Sequence, residues 1–294
     1  MTAPLSGPAA RRPEWARKTS PLARGTRGVR VLLRKKSLHT VCEEARCPNL
    51  GECFSRGTAT FLLLGDRCTR RCRYCSVSTA RPLPPDPGEP ARVAEAASRM
   101  GLRYVVLTSV DRDDLPDGGA SHFAAVVRAV REALPAAGIE VLTPDFRGDR
   151  AALEAVLEAG PEVFNHNIET VPRLFPRLRP QGRYRLSLDV LAAAKAMRPG
   201  QATKSGLMVG LGETDDEVAP VLADLRAAGV DIVTIGQYLR PTREHEPVHR
   251  YLPPAAFRAF EDEARAIGFP TVYSGVFVRS SFNAEEVYRA GGAR

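Results

Sequence analysis

The sequence predicts an α/β chain whose body is a partial, open (β/α)6 barrel, TIM-like in its repeat, with an N-terminal extension and a short C-terminal one. Three observations predict it. From Thr58 onward short apolar or β-branched runs alternate with longer stretches whose apolar residues recur every three or four positions, as at Val126, Val130 and Leu134. The links between the runs are short, which implies parallel strands joined by right-handed crossovers. Six such units are too few for a closed eight-stranded barrel. An open doubly wound sheet is the alternative.

Taken in order, Met1–Pro8 reads as disordered, and the arm to about residue 40 is rich in Pro, Gly and Arg. Trp15, the only tryptophan, reads as the anchor of that arm, and a short helix begins within Val29–Arg34. Candidate strands are Thr60–Leu64, Tyr104–Thr108, Glu140–Leu142, Val163–Asn167, Ser205–Val209, Ile232–Ile235 and Thr271–Tyr273. Candidate helices between them are Ala91–Met100, Ser121–Leu134, Arg150–Glu158, Leu186–Met197, Asp215–Ala228 and Pro253–Ile267. Asp149 and Thr214 are placed to cap helix N-termini, and Pro253 lies near a first turn. Gly101, Gly138, Gly160, Gly229 and Gly268 fall where helices should end in a left-handed residue.

Composition excludes several classes. No apolar run approaches a membrane span, and the N-terminus lacks the apolar stretch of a secretory signal, so a cytoplasmic protein is expected. Only five of the 42 basic residues are lysine, so the arginine-rich start reflects a bias of the whole chain rather than a targeting device. The net charge of +8 forms no basic stripe with interleaved aromatics, which argues against nucleic acid and for an acidic partner protein. All six cysteines fall between Cys42 and Cys75. A disulfide scaffold spreads its cysteines through a short chain, so metal or cluster ligation in a reducing compartment is expected.

The chemistry centres on Cys68, Cys72 and Cys75, spaced C-x3-C-x2-C just after the apolar run Phe61–Leu64. Three thiolates on one tight loop can hold three irons of a [4Fe-4S] cluster. The fourth iron stays open to the amino and carboxylate groups of S-adenosylmethionine. The spacing, with Tyr74 before the last cysteine, resembles the signature of the radical S-adenosylmethionine superfamily. A zinc knuckle is the plainer reading, but zinc sites favour C-x2-C pairs and four ligands. A second triplet, Cys42-x4-Cys47-x5-Cys53, follows His39. Its spacing alone divides evenly between a zinc site completed by His39 and an iron–sulfur site, and the neighbouring triplet tips the balance to iron–sulfur.

In either architecture the site belongs at the C-terminal ends of the strands. The polar residues there are the loop cysteines, then Thr108, Ser109 and Asp111, and Asn165, Asn167 and Glu169. Further along come Gly210, Gly212 and Glu213, and Gln237, Tyr238 and Arg240. Gly210-Leu211-Gly212-Glu213 can serve a ligand approach or simply a turn.

The two triplets together resemble the lipoyl synthase family. So do the arm around Trp15, Thr108–Leu115, Asp117–Ala120, Phe164–Val171, Thr203–Glu213, Gly236–Thr242 and Arg279–Phe282. The resemblance implies a sulfurtransferase of lipoate biosynthesis. It would insert two sulfur atoms at C6 and C8 of a protein-bound octanoyl group, through a 5′-deoxyadenosyl radical and a sacrificial auxiliary cluster. Cys68, Cys72 and Cys75 would hold the catalytic [4Fe-4S] cluster. Cys42, Cys47, Cys53 and Ser281 would hold the auxiliary [4Fe-4S] cluster, the serine being a weak ligand to soft iron. Tyr74, Thr108, Ser109, Asn167, Glu169 and Lys204 would contact S-adenosylmethionine. Phe282 stands where the family usually has tyrosine, Arg12 where it has lysine and Ala16 where it has leucine.

The implied partners are octanoylated lipoyl carrier domains (2-oxoacid dehydrogenase E2 or glycine cleavage H protein), a ferredoxin or flavodoxin reductant and an iron–sulfur carrier protein, with no nucleic acid and no membrane. The implied division is an arm and auxiliary-cluster extension over 1–57, the barrel over 58–273 and a ligand-supplying segment over 274–294. The rivals are another two-cluster radical sulfur inserter, of methylthiolating or biotin-forming type, and a zinc-stabilised nucleic-acid-binding module. The position of all three extra cysteines ahead of the radical loop favours the lipoyl synthase pattern.

Overall fold

The computed structural model describes residues 12–18, 26–56 and 58–290; the Met1–Pro8 stretch lies outside them. Eight strands form one sheet in strict sequence order. The first, β1 (His39–Thr40), is antiparallel to β2 (Thr60–Leu63). The rest, β3 (Tyr104–Ser109), β4 (Gly138–Leu142), β5 (Val163–Asn165), β6 (Ala202–Val209), β7 (Ile232–Gln237) and β8 (Thr271–Gly275), add in parallel. Among the described residues β8 pairs only with β7, so the barrel stays open. A doubly wound sheet reverses its strand order at a switch point. This one never does, which removes that alternative.

Among the described residues three α-helices precede the barrel: α1 (Thr26–Lys35), α2 (Val41–Glu44) and α3 (Leu50–Ser55). The crossovers are α4 (Glu89–Arg99), α5 (Ala120–Ala133) and α6 (Arg150–Glu158), then a single turn α7 (Phe175–Leu178) leading into α8 (Tyr184–Met197), then α9 (Val218–Ala227) and α10 (Pro254–Ile267). A final helix, α11 (Ala284–Ala290), packs back against β3 and β8. Among the described residues no helix is long and apolar enough to cross a membrane.

The local signals act as expected. Asp149 accepts from Ala151 N at 2.9 Å at the start of α6. Thr214 and Glu217 form a capping box ahead of α9. Gly101, Gly160, Gly229 and Gly268 take positive φ after their helices. Gly138 does not; it opens β4, where an added Cβ would fall 2.6 Å from the Tyr104 ring. Both faces of β2 and β7 are buried, the pattern of a parallel sheet covered by helices.

Beneath the rim, β3 to β6 contribute a buried polar layer. Lys204 Nζ lies 2.9 and 3.0 Å from the two Glu140 carboxylate oxygens, and each side chain is 1% exposed. Asn165 Nδ2 and the Tyr104 hydroxyl donate to the same carboxylate at 3.0 and 3.2 Å. Strand periodicity puts Glu140 and Lys204 on the same faces as Leu142 and Met208, but further from the strand ends. Lys204, expected at S-adenosylmethionine, has its ammonium bound to Glu140 below the rim and does not line the cavity at the rim. Lys204→Met should lower the unfolding free energy by about 3–5 kcal/mol by stranding the carboxylate. Pairing it with Glu140→Leu should recover only part of that loss in urea titrations, because Asn165 Nδ2 and the Tyr104 hydroxyl then lose their acceptor, with S-adenosylmethionine affinity unchanged.

Candidate active site

The cysteine loop leaves β2 through Leu64 and Gly65, both at positive φ, with Leu64 N held 2.9 Å from a Glu89 carboxylate oxygen. Arg70, inside the C-x3-C stretch and only 4% exposed, then fastens it. Its Nε and Nη2 donate to Asp113 at 2.8 and 2.9 Å, and its Nη1 and Nη2 donate to Asp145 at 2.7 and 2.6 Å. Its Nε also lies 3.3 Å from Asp111 Oδ1. One guanidinium thus ties the loop to the ends of β3 and β4 by paired charge-assisted bonds. Thr69 adds a backbone and a hydroxyl bond to Asp111 O, at 3.0 and 2.9 Å. On the far side Arg73 N donates to Leu178 O at 2.9 Å, and His245 Nε2 lies 3.0 Å from Cys75 O.

The loop closes one side of a cavity of about 300 Å³ at the C-terminal ends of the strands, lined by Cys68, Cys72 and Cys75. All six cysteines are free thiols. Cys68 Sγ accepts from Arg70 N and Asp111 N, at 3.4 and 3.3 Å. Burial, reinforced by the Asp111 carboxylate, pushes its pKa up to about 12. Burial alone dominates at Cys75, also raised to about 12, and it raises Cys72 too. Such thiols stay protonated without a cation to bind, so cluster loading would release protons.

The cavity also collects Tyr74, Thr108, Ser109, Asn167 and Glu169, but not Lys204. Burial raises the Tyr74 hydroxyl pKa, so it stays neutral. Thr108 spends its hydroxyl on Leu142 O at 3.0 Å. Asn167 Nδ2 donates to Glu169 Oε1 at 3.1 Å and to Ser280 Oγ at 3.3 Å. Glu169 sits at φ 69°, a conformation costly for a side-chain-bearing residue. Its backbone is locked to β6 on both sides, to Gly206 O and from Met208 N, each at 2.9 Å. Burial raises the Glu169 pKa and the Arg179 guanidinium opposes it.

Arg179 escaped sequence reasoning. It is buried, donates to Asn167 O at 3.1 Å and lies 5.2 Å over the Phe175 ring. In a chain so rich in arginine, its only signal is a position just before Pro180 in the link after β5. The Gly210–Glu213 stretch is a turn and not a ligand cradle. Its amides at Gly210 and Leu211 donate to its own Glu213 carboxylate, at 2.5 and 2.9 Å.

Cys42, Cys47 and Cys53 line a second cavity, of about 140 Å³, together with Ser281. Cys42, Cys47 and Ser281 face the first cavity as well. Burial raises the Cys42 thiol pKa and brings that of Cys53 to about 11. Asn49, 1% exposed, donates to Phe277 O at 2.7 Å and so joins the N-terminal triplet to the segment carrying the serine. That segment crosses Gly236, where any Cβ would fall 2.1 Å from Val278 O. Phe282 stacks on Tyr273 at 6.5 Å, and Lys18 Nζ lies 4.8 Å from its ring centre, so it serves by its face and needs no hydroxyl. Trp15 meets Tyr251 edge to face at 6.5 Å, anchoring the arm. His39 turns instead to Glu44, at 3.3 Å. Among the described residues no three His, Cys, Asp or Glu side chains converge as a single metal ion would require.

The donor set fits an iron–sulfur cluster with a polar ligand beside it. Three unpaired thiols share one cavity with Ser109 Oγ, Asn167 Oδ1, Thr143 Oγ1 and Arg179 Nε. All four of these atoms are buried and lack a hydrogen-bond partner among the described residues. Buried polar atoms left this way are costly unless something binds them.

Fold and site together define a radical S-adenosylmethionine enzyme. The model of the Radical SAM superfamily matches residues 62–225. Methylornithine synthase shares the fold, with a TM-score of 0.57 and 18% identity over 91% of this chain and 80% of its own. HydG, a maturase of the [FeFe]-hydrogenase, gives 0.52 and 14% over 89% and 74%. At the sequence level, the lipoyl synthase of Rubrobacter xylanophilus is 55% identical over 94% of this chain and 86% of its own length. That of Thermus thermophilus is 54% identical over 94% and 86%. The chain belongs to the lipoyl synthase family and is a sulfur-inserting enzyme that uses a [4Fe-4S] cluster and S-adenosylmethionine.

Two outcomes test the geometry. Arg70→Leu should cost about 3–5 kcal/mol, because it leaves the buried Asp145 carboxylate unpaired, and should lower iron retention; urea titration and iron assay read both. Burial, with Arg179 nearby, lowers the His166 pKa to about 4, and its ring lies 2.9 Å from Thr143 O and 3.0 Å from Ser187 Oγ. A depressed histidine contributes stability above its unfolded pKa of about 6.5 and loses it as pH falls toward 4. The melting temperature of His166→Gln should therefore fall less steeply than that of the parent between pH 6.5 and 4.

Proposed function

We propose that the larger cavity binds S-adenosylmethionine against a cluster held by Cys68, Cys72 and Cys75, and that Cys42, Cys47, Cys53 and Ser281 hold a second [4Fe-4S] cluster beside it. On this reading the chain inserts two sulfur atoms, at C6 and C8 of an octanoyl group carried by a protein. The observation that carries it is the shared wall: Cys42, Cys47 and Ser281 face the same cavity as the three loop cysteines. A substrate carbon there can meet both centres. When bound, the two clusters and S-adenosylmethionine supply hydrogen-atom abstraction and sulfur, chemistry that unactivated C–H bonds deny to any side chain.

The chain's own residues bind and orient. Ser109, Asn167, Glu169 and Arg179 present complementary polar groups to an amino acid and a ribose, while Tyr74 and Thr108 wall the pocket. Leu142, Met208 and Leu239 offer an apolar surface for the acyl chain and help exclude water. Arg279 lines both cavities, and burial lowers its pKa.

The finer division follows: an arm and auxiliary-cluster extension over 1–57, the barrel over 58–273 and a ligand-supplying segment over 274–294. The acyl carrier is a lipoyl domain of 2-oxoacid dehydrogenase E2 or the glycine cleavage H protein. A ferredoxin or flavodoxin supplies electrons and an iron–sulfur carrier protein reloads the second site. Six unpaired cysteines suit the cytoplasm.

Anaerobically loaded protein should carry about eight irons and turn brown; a colourless zinc protein would defeat the reading. Cys68→Ala should abolish 5′-deoxyadenosine formation from S-adenosylmethionine and dithionite. Ser281→Ala should keep it while losing most lipoyl product on an octanoyl-lysine peptide, both followed by mass spectrometry. Full product yield from Ser281→Ala would discard its ligand role.

A further inference from the structure

The cysteine loop has an outer side that the chemistry does not use. There Arg70 borders a cleft of about 290 Å³ formed with Asp113, Asp145, Arg147, Gln181 and Arg183. The two carboxylates are not free, since Arg70 binds both. Arg147 is 62% exposed and reaches only Asp113. Arg183 is exposed and, among the described residues, has no carboxylate partner. Arg71 is likewise exposed and unpaired beside the cleft; its backbone N–H donates to Gln181 Oε1 at 3.2 Å, which fixes the two loops against each other. Three guanidinium groups, of Arg70, Arg147 and Arg183, thus line the cleft against two carboxylates, and Arg71 adds a charge on the adjoining cysteine loop, a concave setting with an excess of positive charge. Arginine forks match carboxylates in pairs. Arg70 lines both this cleft and the main cavity, so the cleft lies one side chain away from the reacting space.

We propose that this cleft docks acidic side chains of the carrier domain, seating the domain so that its acylated lysine crosses the cysteine loop into the main cavity. The proposal rests on the octanoyl-carrier reading above. The chain's +8 charge suits an acidic protein arriving by electrostatic steering. Recognition here belongs to the protein body, and the acyl-lysine arm is recognised separately, inside the cavity.

The test compares the cluster-loaded parent with Arg71→Glu/Arg183→Glu, each kept turning over by an iron–sulfur carrier protein that reloads the second site, on two substrates, an octanoylated lipoyl domain and a short octanoyl-lysine peptide. At low ionic strength the KM for the domain should rise about tenfold in the reversed variant with kcat unchanged. The gap should close as salt is added. KM for the peptide, iron content and substrate-free 5′-deoxyadenosine formation should match the parent. Arg71→Lys/Arg183→Lys should recover most of the domain KM. If the Glu pair loses iron, the neutral pair Arg71→Ala/Arg183→Ala is read instead, with a smaller rise expected. A domain KM equal to the parent's, in a variant that still turns over peptide, overturns the docking site alone. A parent that sulfurates neither octanoyl substrate overturns the functional reading and the docking site with it.

Discussion

Nearly everything at the rim depends on one buried guanidinium. A C-x3-C-x2-C loop is short and carries its own strong charges, and its local bonds, such as Cys75 N to Cys72 O at 3.0 Å, do not by themselves seat it on the sheet. Arg70 gives it a fixed seat because three aspartates, from the ends of two adjacent strands, converge on a single planar fork. The arrangement is more specific than strong. Desolvating the ions offsets much of their attraction, so its value lies in excluding other loop positions. With Arg70 in place, Cys68 comes within reach of two backbone amides, contacts that tune a bound thiolate as well as orient it.

The open sheet completes the arrangement. A closed barrel would fill its centre with layered side chains. Here β8 has no further partner among the described residues, and the space at the rim is shared by the loop after β2, the turn after β5 and the segment after β8. Below it the Glu140–Lys204 pair forms a polar floor whose charges satisfy each other. Above it, Ser109 Oγ, Thr143 Oγ1, Asn167 Oδ1 and Arg179 Nε lack partners around one cavity. The contrast between the paired charges of the floor and the unpartnered atoms around the cavity separates structural polarity from binding polarity.

Much of this was legible in the sequence, for physical reasons. All seven parallel strands and all six crossover helices announce themselves by periodicity and by caps such as Asp149 and Gly268. The two cysteine spacings mark the site. What escaped has identifiable causes. The two-residue β1 and the single turn α7 are too short to show a period. Gly138 sits where a helix cap should be, yet its work is to make room for Tyr104. Lys204 was read as a ligand contact on the family resemblance, and only the three-dimensional neighbour Glu140 shows the bond that its ammonium makes. Arg70 and Arg179 were hidden by abundance, since one arginine among many carries no local signal until its partners are seen.

The bond from Asn49 to Phe277 joins residues 228 positions apart, and Ser281 lies further still along the chain. During synthesis at about 5–20 residues per second, the N-terminal thiols leave the ribosome on the order of ten to fifty seconds before the serine exists. Throughout that interval the cavity beside Cys42, Cys47 and Cys53 has one side missing. The wall of this cavity is therefore completed only by residues 279–286, long after the thiols it encloses have emerged.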